Sequence, residues 1–157
     1  MNEQKAKTVQ ESMARQVHII TPVDVNATFA LFGGRLMEWI DIVAGVVSRR
    51  HAGMETRTAA VEHLEFLKPA YLDDIVELVG RVTFVGRTSM EVCVDSYVER
   101  MGSSEGPQHV NRALLTMVAV DADGHPAPVP SLCISTPEEQ ADWDAAAARR
   151  DARKNVR

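Results

Sequence analysis

The sequence predicts an α+β fold, a curved antiparallel β-sheet wrapped around a central buried helix, with an extra helix at the C-terminus. Three observations carry this expectation. One segment, roughly residues 34–50, repeats apolar side chains at helical spacing and is apolar over most of its circumference. Four long segments with alternating character follow it without a helix between them, so they must pair largely antiparallel. The run Thr136-Pro137-Glu138-Glu139, a capping box with proline at the first helical position, then opens a last helix.

Residues 1–14 are polar and without periodicity, and read as a mobile N-terminal arm. Residues 15–134 form the expected domain, and 135–157 a C-terminal helical extension. Gln16 to Ile20 reads as a short strand and Pro22-Val23-Asp24-Val25-Asn26 as a loop. In the main helix Leu36, Trp39, Ile40, Val43 and Val47 share one face, and Met37, Ile42 and Val46 extend the apolar surface around it, which predicts burial on all sides. The strands expected next are 58–67, 75–84, 90–98 and 113–120, the last apolar on both faces and so interior. Gly86-Arg87 and Asp123-Gly124 are turns. The final helix carries only Trp143 and alanines as an apolar stripe, so it belongs on the surface, and a single sheet layer leaves one face for a partner to cover.

The chain has 157 residues, 45% hydrophobic and 25% charged, the composition of one globular domain rather than a disordered or low-complexity chain. Its 17 Lys and Arg against 22 Asp and Glu give a net charge of −5, which argues against a chain-wide basic surface for nucleic acid. An anionic ligand would need a local basic cluster. The two cysteines, Cys93 and Cys133, make no disulfide framework, and no CxxC, HxxxH or HExxH spacing offers a metal site. A reducing, cytoplasmic setting is expected. The N-terminus shows no apolar core of a secretory signal, and no apolar run nears the roughly 20 residues of a membrane span.

Gly33-Gly34 stands where the main helix begins. Free N–H groups and partial positive charge are exposed there, and the missing side chains let a ligand carbonyl approach, so the position can serve as an oxyanion site. Two glycines alone are more readily a turn required by backbone angles. Asp41 lies seven residues on, two helical turns, on the same face. Gly45 leaves room beside it and Ser48 continues the face. A carboxylate in such surroundings is paired with an arginine, protonated or functional. Glu38, toward Arg35 and Arg49, reads as a solvated ion pair. His51, His63, His109 and His125 are scattered, with no catalytic triad spacing and no GxSxG; no GxGxxG or P-loop is present.

Several stretches together resemble a known family. They are Asp24-Val25-Asn26, Phe32-Gly33-Gly34-Arg35-Leu36-Met37-Glu38-Trp39-Ile40-Asp41, Arg50-His51-Ala52, Thr58-Ala59-Ala60-Val61-Glu62 with Phe66 and Pro69, Val85-Gly86-Arg87-Thr88-Ser89-Met90-Glu91-Val92, Val118-Ala119-Val120-Asp121 and Val129-Pro130. In order and spacing, over roughly residues 20–132, they are similar to the single-domain hotdog-fold acyl-CoA thioesterases. The resemblance implies a hotdog fold, a homodimer with its sheets joined edge to edge, and a trimer of dimers. It implies an active site at the dimer interface and a role in lipid metabolism. It puts Asp41 as the catalytic aspartate, general base or nucleophile, and Gly34 as the amide that polarises the thioester carbonyl. Gly33, Arg50, His51, Arg87, Thr88 and Ser89 would contact coenzyme A, which enters as part of the substrate, with no further cofactor, metal, membrane or nucleic acid.

One departure stands out. Where relatives often carry a glycine and a small polar residue, this chain has Phe29-Ala30. In some relatives the polar residue works opposite the aspartate across the interface. Ala30 cannot, so Asn26 or the backbone takes over, or the activity is weak or specialised. Glu62 replaces the family's more usual aspartate, a milder change. A non-catalytic acyl-CoA-binding module is therefore the competing reading. A hotdog dehydratase or hydratase fits less well, since no histidine lies in the helix or its approach loop.

Overall fold

In the computed structural model, which describes residues 4–156, the chain forms β1 (Lys7–Thr8), α1 (Val9–Ser12), β2 (Ala14–Ile19), α2 (Gly33–Ala52), β3 (Thr56–Phe66), β4 (Ile75–Val85), β5 (Ser89–Glu99), β6 (Gln108–Ala119), β7 (Leu132–Cys133) and α3 (Pro137–Lys154), with a 3-10 turn at Pro22–Asp24. The main sheet has the order β2-β4-β5-β6-β3 and is antiparallel throughout. β5 is its centre, β6 is interior as the two-faced apolar pattern predicts, and β2 and β3 are edges. β1 and β7 pair separately and parallel.

α2 lies across one face of the sheet. Leu36, Trp39, Ile40, Val43 and Val47 are buried among Val76, Leu78, Val82, Val92, Val94 and Met117. Each such side chain contributes about 1.5–3 kcal/mol when fully removed from water. Gly80 sets the closeness of this contact: a Cβ there would stand 2.6 Å from Val43 Cγ1 and 2.9 Å from Val47 Cγ2. The helix ends at Gly53, whose left-handed backbone (φ 68°) lets its N–H donate to Arg49 O.

Three expectations need correction. Residues 7–12 of the anticipated mobile arm are ordered: Thr8 and Glu11 form a capping box on α1, Val9 and Ser12 are buried, and Lys7–Thr8 pair with Leu132–Cys133. Residues 1–3 of that arm, and residue 157 of the C-terminal extension, lie outside the described residues. α2 is not covered all round, since Met37, Ile42 and Val46 remain 44%, 47% and 37% exposed. The outer sheet face is not wholly bare, because α3 crosses it. Trp143 packs on Phe84 with ring centroids 4.4 Å apart, Ala146 is buried, and ion pairs join Arg81 to Asp142, Arg149 to Glu91 and Arg153 to Glu62. Among the described residues no helix is long and apolar enough to cross a membrane.

Candidate active site

The approach to α2 is built by Asp24. Its buried carboxylate accepts from Thr21 N–H (2.8 Å) and Thr21 Oγ1 (2.7 Å), and Arg35 Nε lies 3.2 Å away. Burial pushes this carboxyl up, but the Thr21 bonds and Arg35 outweigh it and hold it below its ordinary value. The Asp24 carbonyl accepts from Phe32 N–H at 2.8 Å, which fixes the residue preceding the helix. No side chain caps the helix, and among the described residues the N–H groups of Gly33 and Gly34 have no acceptor. Two aromatic rings stand beside them. A Cβ on Gly34 would come within 2.6 Å of the Phe32 ring, and one on Gly33 within 3.6 Å of Phe66. This is a short, unblocked patch of donors with the helix dipole behind it.

Asp41 sits about 10.5 Å further along the helix axis. Its Oδ1 accepts from Thr58 Oγ1 at 2.6 Å. Asp41 is exposed and, among the described residues, has no salt bridge, so the arginine pairing that the sequence left open is absent. Thr58 escaped the sequence reading because its contact is made through strand register across 17 residues; its only signal was a hydroxyl near the start of a strand in a matching stretch. A Cβ on Gly45 would meet nothing within 4 Å, so open space does adjoin Asp41. Ser48 does not line that space. It is fully buried and bonded to Thr56 Oγ1 at 2.7 Å.

Asn26 lies in the loop before α2. Its Oδ1 accepts from Thr28 N–H, Thr28 Oγ1 and Ala30 N–H at 3.0, 2.7 and 3.2 Å. The carbonyl is thus committed to shaping the loop, and only the Nδ2 donors are free. Within one protomer no hydrogen bond joins Asn26 to Asp41 among the described residues.

Of the residues expected to hold coenzyme A, two stand apart from the others: Gly33 by its position and His51 by its burial. Gly33 is at the N-terminal end, while Arg50 is sixteen residues beyond Gly34, about 24 Å along the axis. Arg50 is exposed and its guanidinium donates to Met13 O at 2.8 Å. Arg87 and Thr88 form the tip of the β4–β5 hairpin, closed by Gly86 N–H donating to Ser89 O at 2.8 Å. The Arg87 side chain is exposed and has no carboxylate partner among the described residues. His51 does not belong to this surface. It is fully buried, with Nε2 2.9 Å from Pro130 O. A carbonyl only accepts, so Nε2 carries the proton and Nδ1 is a bare, unpartnered buried nitrogen. Burial pushes the ring's pKa below its ordinary value. Adjacent helical residues point about 100° apart, so Arg50 faces out and His51 faces the core.

Similar proteins agree with this architecture. A family model described as the thioesterase superfamily matches residues 30–104. The uncharacterized acyl-CoA thioester hydrolase YkhA of Bacillus subtilis is 37% identical over 99% of this chain and 90% of its own. An apo-hexameric acyl-CoA thioesterase superposes with a TM-score of 0.92 at 35% identity, covering 98% of this chain and 97% of that one. The acyl-CoA hydrolase of Staphylococcus aureus in complex with butyryl coenzyme A, coenzyme A and its disulfide gives 0.89 at 32% identity, covering 96% and 92%. The same hydrolase has solved variants in which an aspartate, an asparagine and a threonine are each replaced by alanine. The chain belongs to the hotdog-fold acyl-CoA thioesterases, and is an enzyme of that class.

Proposed function

We propose that this protein hydrolyses acyl-CoA to coenzyme A and a carboxylic acid at a site shared by two protomers. One observation carries the reading: an exposed carboxylate, Asp41, held by Thr58 on the same helix that offers two acceptor-free amides at Gly33 and Gly34. Asp41 removes a proton from water, or attacks the thioester carbon itself. The carbonyl oxygen gathers negative charge against the Gly34 amide of the facing protomer, since within one protomer Gly34 and Asp41 stand two helical turns apart. Collapse expels the coenzyme A thiolate, a better leaving group than an alkoxide because thiols ionise near pH ~8.5, and leaves the carboxylic acid directly or, on the nucleophilic route, an Asp41 acyl anhydride that water then hydrolyses. Water is the second substrate, and the reaction asks for no cofactor. The three residue types replaced in the Staphylococcus aureus hydrolase stand at the same sequence intervals as Asn26, Asp41 and Thr58 here, which supports these assignments.

The edge strand β3 and the uncovered apolar side chains of α2 support a homodimer as the active unit. In it the Asn26 loop of one protomer faces Asp41 of the other, and its Nδ2 donors supply the polar group that Ala30 lacks. Three dimers then make a hexamer. A cytoplasmic place and a role in lipid metabolism follow from the substrate class. The test is release of free coenzyme A from short, medium, long and aromatic acyl-CoAs, with Asp41→Asn in parallel. Asp41-dependent release supports the reading. Heat-stabilisation by CoA esters without release would instead support a binding module, with Ala30 as the reason.

A further inference from the structure

α3 meets the sheet through three arginines in its last two turns, and two of them are neutralised. Arg149 pairs with the buried Glu91 (2.7 Å) and Arg153 with Glu62. Arg150 has no carboxylate partner among the described residues. It is nonetheless held in place. Its guanidinium carbon lies 5.3 Å from the centroid of the Phe84 ring, and it presses on Gly86 so closely that a Cβ there would stand 1.9 Å from Nη1. Gly86 opens the hairpin tip, so this guanidinium reaches the backbone next in sequence to Arg87, whose own side chain is exposed and without a carboxylate partner among the described residues. Arg150 and Arg153 further line a small hollow, about 40 Å³ in volume, with Ser89, Thr116 and Glu91, the last of these paired with Arg149. Lys154 follows one turn on, without a partner among the described residues. A chain of net charge −5 thus holds unpaired cations at one end of its sheet, with a hydroxyl next to them.

We propose that Arg150 of α3, acting with Arg87 of the β4–β5 hairpin, is a binding residue for phosphate groups, those of the nucleotide end of the acyl-CoA substrate. A planar guanidinium already fixed over an aromatic ring loses little freedom on binding, and it can donate two parallel hydrogen bonds to a phosphate. The missing side chain of Gly86 is what admits the guanidinium to the hairpin. The inference rests on the thioesterase reading for the identity of the substrate, but the phosphate site itself does not.

The experiment compares wild type, Arg150→Gln and Arg150→Lys in two assays. In the first, KM and kcat are measured on one acyl group carried by coenzyme A and by pantetheine, which lacks the nucleotide phosphates. Arg150→Gln is expected to raise KM for the CoA ester roughly tenfold, the loss of one hydrogen bond to a charged group. It should leave kcat and the pantetheine KM within twofold, Arg150→Lys should restore part of the loss, and added salt should shrink the difference. Equal KM changes on both substrates, or none on either, overturn the proposal. In the second assay, calorimetry follows binding of adenosine 3′,5′-bisphosphate and of inorganic phosphate. Weaker binding of the bisphosphate to Arg150→Gln supports the site even if the wild type hydrolyses nothing, in which case only the thioesterase reading falls. Hydrolysis with bisphosphate binding indifferent to Arg150 overturns the site alone. Arg150-dependent binding of inorganic phosphate as tight as that of the nucleotide overturns the assignment to the substrate's nucleotide end.

Discussion

Thr58 Oγ1 donates to Asp41 Oδ1 at 2.6 Å, and this single bond ties the edge strand β3 to the middle of α2. One carboxylate oxygen is thereby occupied and the side chain is oriented, while the other has no hydrogen-bond partner among the described residues and open space lies one helical turn on at Gly45. Thr58 acts through Asp41, so its removal should be milder than removal of the carboxylate. Asp41→Asn is expected to lower kcat by about 10²–10⁴-fold, the range for loss of a catalytic proton acceptor. Thr58→Val should lower kcat by roughly tenfold with KM nearly unchanged, and Thr58→Ser should recover most of it. Steady-state kinetics on one acyl-CoA decide this. A Thr58→Val enzyme with wild-type kcat would remove the positioning role.

The two glycines on the Asp41 face should behave in opposite ways. Gly34→Ala forces a methyl group to within 2.6 Å of the Phe32 ring, next to the acceptor-free amides. The ring must swing, and the donor patch is either covered or reshaped. A tenfold or greater fall in kcat is expected, with little change in melting temperature, since Phe32 is exposed. Gly45→Ala meets nothing within 4 Å and gains helix propensity, worth up to about 1 kcal/mol. In a dimer that closes on this face the same methyl group would collide with the second protomer. Sedimentation and activity of Gly45→Ala, measured together, therefore report whether this face is an interface.

Phe29 bears a cost that glycine would avoid. Its φ is 60°, in the left-handed region, which disfavours an L side chain by about 1–2 kcal/mol. The ring is 64% exposed and regains little of this by burial within the protomer. Phe29→Gly should raise the melting temperature by roughly 2–4 °C for each kcal/mol relieved, less what glycine adds to unfolded-chain entropy. Calorimetric melting of the variant provides the check. A lower melting temperature would show that the ring is packed in the assembly and that its contacts exceed the strain.

The four long strands, the interior place of β6, and α2 with its Asp41 face are legible because each rests on local periodicity, whereas the strand order β2-β4-β5-β6-β3 depends on distant pairings. The four long strands and the two long helices announce themselves within windows of about a dozen residues. The failures all involve partners distant in sequence. The N-terminal segment looked unstructured because β1 finds its partner at Leu132–Cys133, and the Thr8–Glu11 capping box is short. His51 stands in the matching stretch Arg50-His51-Ala52, but a helix turns neighbours to different surroundings, and it is buried where Arg50 is exposed. α3 showed its thin apolar stripe but not its ion pairs with Arg81, Glu91 and Glu62, which depend on where it crosses the sheet.

Acid should destabilise this chain over two pH ranges, a histidine range to which His51 and His18 contribute and a carboxyl range to which Asp95 and Asp24 contribute. His51 is buried, and burial holds its pKa below the ordinary 6.5. As pH falls through that value the unfolded chain takes up a proton that the folded ring refuses, so stability begins to decline there. Asp95 acts in the lower range. Burial alone would raise its carboxyl, but hydrogen bonds from Arg112 (2.8 Å), Arg81 (2.9 Å) and His109 (2.7 Å) bring it down from 3.8 to about 2. The stabilisation from this depressed value is complete above pH ~4 and is lost as pH falls toward 2, amounting to about 2 kcal/mol. Arg81 also holds Asp142 of α3, so protonating Asp95 loosens the helix that carries Arg150. Urea midpoints measured from pH 8 to 3 should show both declines, the upper shallower in His51→Gln and the lower shallower in Asp95→Asn, with His18 and Asp24 supplying the remainder. An NMR titration of the Asp95 carboxyl carbon reads the second directly. An inflection near 4 would mean that the arginines do not hold the carboxylate in solution.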